Sequence, residues 1–254
     1  MRQLFKVLTS SAWLLLGVVL AVQSAHAQDA PHYPPADEAW DGTDYRGLLQ
    51  RIQTRGLELP TLSGAATKPI FDRMVNVDNI PLRVGLNREL AVTIRFQKLD
   101  GALDPVHKLV VLYSSEMKRG KPYATELARL MVYETKIAAA LLEVSDPYLS
   151  TLKNDKRYQI HVGIIDQLKN GARQTFAGLV HGTTETQLYS KPEILKMIGS
   201  ALADLPSYQP ILKDEDRQDL TQKLTKQISA TTDQELKKAL TELRDAIEHR
   251  RVRT

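Results

Sequence analysis

The 254-residue sequence contains no cysteine. Disulfides, thiolate metal sites and a cysteine nucleophile are therefore excluded, and the chain must rely on its hydrophobic core for stability. Long apolar runs are also lacking. The longest, Trp13 to Val22, is about half the roughly 20 residues needed to cross a bilayer as a helix. Arg2 and Lys6 precede it and Ala25-His26-Ala27 follows it, the pattern of a secretory signal cleaved after Ala27. Residues 1–27 are thus expected to be a signal peptide, with Gln28 as the first mature residue. No cysteine follows the run, which argues against a lipoprotein anchor. The expectation is a periplasmic or secreted protein of a bacterial envelope, with no membrane span in its mature form.

An excess of one charge is missing too. The chain has 34 basic and 30 acidic residues, and removing Arg2 and Lys6 with the signal leaves 32 against 30. The pI of about 9.1 reflects only those few charges, so nucleic acid is not an expected partner.

Signatures of chemistry are equally scarce. G-x-S-x-G, H-E-x-x-H, the E-x-x-H of helical metal sites and G-x-x-x-x-G-K-[ST] do not occur. Ser115-Glu116-Met117-Lys118 and Ser150-Thr151-Leu152-Lys153 match S-x-x-K, a pattern expected about once by chance here, and the K-T-G and S-D-N companions are absent. His32, His107, His161, His181 and His249 are dispersed, and no pair is spaced for joint ligation within a helix. No cofactor or metal is expected.

What the sequence does contain is helical periodicity. Residues 28–44 hold Pro31, Pro34 and Pro35 with few aliphatics, and are expected to be an extended lead-in that Trp40 pins to the domain. Residues 45–254 are expected to form a single domain. Tyr45, Leu48, Leu49 and Ile52 share a face of a first helix over 44–55, stopped by Gly56. Thr67 is expected to cap a second, with Pro69 in its first turn. Residues 90–96 alternate as a strand would, but Val92, Phe96, Leu99 and Leu103 also fit a helix ended by Asp100-Gly101. Asp104 and Pro105 then open another, closed by Gly120.

The most apolar helix is expected from Pro122 to Ser145, ended by Asp146-Pro147. The next begins near Asn154, with a break or kink at Asn170-Gly171. Ser190-Lys191-Pro192-Glu193 is a capping box, followed by a loop over Pro206 to Pro210. An acidic start marks Asp214 to Ile228, and Thr232-Asp233-Gln234-Glu235 reads as a second capping box. The sum is an all-α fold, an irregular bundle of about eight helices with no fixed repeat. Residues 214–249, highly charged with narrow apolar stripes, are a candidate antiparallel hairpin, expected either to pack on the bundle or to protrude toward a partner.

One acid interrupts the central apolar stripe. At about 100° per residue, Glu134 lies about 20° from Leu127 and falls among Leu130, Met131, Ile137 and Ala138. A buried carboxylate needs a partner. His161, at the margin of the next helix's stripe, is the candidate, and Tyr113, Tyr123, Tyr133 and Tyr158 are candidates for a surrounding rim. Glu134 and His161 are the only catalytic candidates, and Tyr113, Tyr133 and Tyr158 the candidate binding residues. The leading expectation is that the chain is a non-enzymatic interaction protein of the adaptor or immunity type, working by binding another macromolecule, expected to be a protein. The alternative is a small-ligand binder or hydrolase using a Glu134/His161 pocket. Mass spectrometry of protein recovered from the envelope checks the export expectation: the intact N-terminus should be Gln28.

Overall fold

A computed structural model describes residues 40–56, 58–77 and 90–249. The expected signal peptide and cleavage site, most of the expected lead-in and residues 250–254 lie outside the described residues. Among those residues there are eight helices and no strand. They are α1 (Gly42–Arg55), α2 (Lys68–Met74), α3 (Val92–Lys118), α4 (Ala124–Thr151), α5 (Tyr158–Gly182), α6 (Lys191–Tyr208), α7 (Asp214–Ala230) and α8 (Gln234–Glu248).

Helix α1 begins inside the expected lead-in because Asp41 caps it. The Asp41 carboxylate accepts from the backbone of Thr43 (2.8 Å) and Asp44 (3.2 Å), and Asp44 returns the bond to the Asp41 N–H at 2.8 Å. Gly56 closes the helix in the left-handed conformation at φ 63°. Trp40 is buried beside Tyr45, with ring centroids 5.4 Å apart. Thr67 precedes α2 but does not cap it with its side chain. Its hydroxyl donates instead to the Thr61 carbonyl at 3.0 Å, folding the loop before α2.

The ambiguous stretch 90–96 enters a helix at Val92, and that helix runs unbroken to Lys118. The expected stop at Asp100-Gly101 and restart at Pro105 are corrected. Pro105 has no N–H, so the Gly101 carbonyl one turn earlier loses its usual donor. Arg46 of α1 supplies one, Nη1 to O at 3.0 Å. Close approach makes this contact available, since a Cβ on Gly42 would lie only 2.2 Å from the Gly101 oxygen. The two sequence breakers form the seat on which α1 docks.

Three further expected boundaries dissolve in the same manner. Helix α4 continues through Pro147 to Thr151, although an interior proline costs about 3 kcal/mol. The extra turn buries Tyr148, stacked on Phe96 at 4.0 Å. Helix α6 passes Pro206 and ends at Tyr208, whose hydroxyl donates to the Thr135 carbonyl at 2.6 Å and whose ring stacks on Phe176 at 4.5 Å. Helix α5 passes Asn170-Gly171 without interruption, with Gly171 and Ala172 buried. Tertiary burial outweighs local propensity at each site.

The Glu193 carboxylate accepts from the Ser190 N–H at 2.7 Å at the start of α6, as the capping box requires. The second expected box is corrected. Asp233, not Thr232, caps α8 by accepting from Leu236 at 3.0 Å, while Glu235 pairs with Lys191 of α6 at 2.8 Å.

Helix α4 is the axis of the bundle, packed by α3, α5 and α6. Helices α7 and α8 pack on each other and on α5 and α6. They bury Leu220, Leu224, Leu236, Leu240, Leu243 and Ile247. Arg217 fastens the hairpin by donating to the carbonyls of Ile247 and Gln209, both at 2.8 Å. The seat of α1 is open to test. Gly42→Ala should destabilise by about 1–3 kcal/mol through overpacking. Gly47→Ala in the same helix, whose Cβ would meet only the Arg51 side chain at 3.5 Å, should be neutral or raise stability by up to about 1 kcal/mol. Thermal unfolding of the two variants distinguishes the sites.

Candidate functional site

Glu134 sits where its angular position predicts, 4% exposed in α4. Its partner is His107 of α3: Nδ1 lies 2.7 Å from Oε1, and Thr175 of α5 donates its hydroxyl to the same oxygen at 3.3 Å. The carboxylate accepts, so Nδ1 carries a proton. Burial pushes the His107 pKa down. The hydrogen bond and charge of Glu134, helped by Asp104, more than reverse this and leave it above its ordinary value of 6.5.

His161 lies elsewhere. Its Nδ1 is 3.4 Å from the Tyr148 hydroxyl, with ring centroids 5.9 Å apart. Tyr148 follows Glu134 by 14 residues on α4, about 21 Å along the axis. The structure thus joins Glu134 to His107 and Thr175, and does not bring Glu134 and His161 together.

The candidate tyrosines also serve other contacts. Tyr113 donates to the Pro60 carbonyl at 2.6 Å and meets Phe71 and Tyr123 edge-on. Tyr45 donates to the Met74 carbonyl at 2.6 Å, which leaves the Tyr133 hydroxyl to donate to Tyr45 at 2.7 Å. Burial raises the Tyr133 pKa to about 12. Tyr158 is half-buried in the first turn of α5. None of the three hydrogen-bonds Glu134; Tyr113 and Tyr133 tie α1, α2 and the loop between them to the bundle.

Two polar clusters escaped the sequence reading. Glu126, also 4% exposed, accepts from the Leu62 backbone N–H at 2.7 Å. Its place four residues before Leu130, on the same stripe, was the available signal. At the α5–α7 seam, buried His181 has its Nε2 2.8 Å from Lys223 Nζ and 3.1 Å from Asp219, and Lys223 reaches Asp219 at 2.6 Å. An ammonium can only donate and a carboxylate only accept, so His181 Nε2 can hydrogen-bond Lys223 or Asp219 but not both at once. Burial and then the Lys223 charge hold its pKa below the ordinary value, against the pull of Asp219.

A cleft of about 330 Å³ opens between α2, α4 and α6, lined by Asp72, Val75, Asn76, Val77, Arg129, Val132 and Lys196. Arg129 Nη1 donates to Asp72 at 2.7 Å, and its guanidinium lies 5.5 Å from the Phe71 ring centroid. Lys68 shares the same carboxylate. Among the described residues, no three His, Asp or Glu side chains converge as a metal site, and no helix is long and apolar enough to cross a membrane. Comparison with protein-family models, curated proteins and solved structures finds no match to this chain.

The folded protein holds the His107 proton more tightly than the unfolded chain does. The contribution of the pair to stability is therefore complete below pH 6.5 and fades as pH rises through the folded value. Glu134→Gln should cost about 1–3 kcal/mol at pH 6. An NMR titration should show the His107 midpoint above 6.5 in the native protein and lower in the variant.

Proposed function

We infer that the chain is an exported helical protein of a bacterial envelope, an interaction protein of the adaptor or immunity type, that works by binding another protein. The closure of Glu134 carries this reading. The one acid placed to do chemistry in the central helix is buried, and its carboxylate is engaged by His107 and Thr175. A general acid or base must reach substrate, and this carboxylate is committed inside the bundle. The secretory pattern of residues 1–27 supports the envelope location.

The C-terminal hairpin is the docking element in this reading, through its charged outer face. Its apolar stripe is turned onto α5 and α6, leaving Lys226, Lys237, Lys238 and Glu242 outward. Attraction through such a face is screened by salt within about 10 Å at 0.1 M.

Capture from envelope extract tests the proposal. Glu134→Gln protein should retain the same partner as the native chain. The double variant Lys237→Glu/Lys238→Glu should lose it or hold it several-fold more weakly, most clearly at low salt. Loss of capture by a folded Glu134→Gln protein would sink the reading in favour of a ligand site at the central helix.

A further inference from the structure

We propose that the cleft between α2, α4 and α6 binds a small anionic group, a carboxylate or phosphate, carried on a short apolar stem. The inference is independent of the docking role given to the hairpin. It begins with the cleft's charges. Asp72 accepts from both Lys68 and Arg129, so one carboxylate faces two cations. Lys196, on the α6 wall, is exposed and forms no ion pair among the described residues. The next cation along the α4–α6 seam, Lys136, is matched by Asp204 at 3.2 Å. Among the described lining residues, Arg129 and Lys196 therefore outnumber the single carboxylate of Asp72.

The remaining lining gives the ligand its shape. Val75 and Val132 are buried valines, and Val77 is packed against the core. A guanidinium and an ammonium beside an apolar wall suit an acid group joined to a few methylenes. Arg129 is held in place by Asp72 and by the Phe71 ring, so its planar fork is positioned before ligand arrives. Lys196, exposed on the opposite wall, supplies the second charge. A volume of about 330 Å³ is near the lower end for small-ligand sites, which suits an anion of this size.

The group could come from a free metabolite or from an acidic side chain of a protein partner; both present the same chemistry. Titrating the full mature protein with acetate, butanoate, inorganic phosphate and neutral butanol, while following the methyl signals of Val75 and Val132 by NMR, tests the site. Butanoate should bind several-fold more tightly than acetate, phosphate should perturb the same signals, and butanol should not. Lys196→Glu, a surface change that leaves the core untouched, should weaken butanoate at least tenfold, while Lys153→Glu, in the turn after the far end of α4, should not. Equal butanoate affinity in the native and Lys196→Glu proteins overturns the proposal, as does perturbation that maps away from the cleft. Where binding is seen, adding butanoate to a captured partner separates the sources: release marks the anion as the partner's own side chain, and retention marks a free ligand.

Discussion

Helix α4 is covered on nearly every side, so almost every polar group it carries must find its partner inside the protein. That requirement organises the rest of the chain. Glu126 receives the Leu62 N–H, Arg129 takes Asp72, Tyr133 meets Tyr45, and Glu134 takes His107 and Thr175. On the other side Lys136 reaches Asp204, and the Thr135 carbonyl accepts from Tyr208. Ser145, buried in the same helix, returns its hydroxyl to the Leu141 carbonyl, one turn back, at 2.6 Å. Apolar burial supplies the driving force, and these specific ties set which face of α4 each neighbour covers.

The helical periods were legible because each apolar face repeats over several turns. The interruptions were not. Gly101, Pro105, Pro147, Asn170-Gly171 and Pro206 are local breakers, and local propensity is all that a window of sequence records. Their outcome depends on distant groups: Arg46 reaches the carbonyl freed by Pro105, Phe96 receives Tyr148, and Phe176 receives Tyr208. A short window contains neither member of such a pair together. Caps act on their own helix ends, yet only the Ser190–Glu193 box matches its sequence reading; Asp41 falls in the expected lead-in, and Asp233 caps where Thr232 is expected to.

The candidate site was half legible for a related reason. Periodicity gives the angle of a residue around its helix, and it put Glu134 inside. It gives nothing about the axial register between two helices. His107, three residues before Val110 and four after Leu103, lies at the margin of its stripe much as His161 does. Angle alone could not choose between them; register places His107 beside Glu134 and His161 about four turns away, beside Tyr148.

The two buried histidines have a joint consequence. Glu134, across the α3–α4 seam, leaves the pKa of His107 above its ordinary value, whereas burial and then the Lys223 charge across the α5–α7 seam leave that of His181 below it. Because His181 resists its proton, its seam is fully stable above pH 6.5 and weakens as pH falls through the folded value, opposite to its counterpart. The two seams are therefore weakened in separate windows, the α3–α4 seam above pH 6.5 and the α5–α7 seam below it. Both contribute fully only near pH 6.5, so departure toward base loosens the α3–α4 pair and departure toward acid loosens the attachment of the C-terminal hairpin.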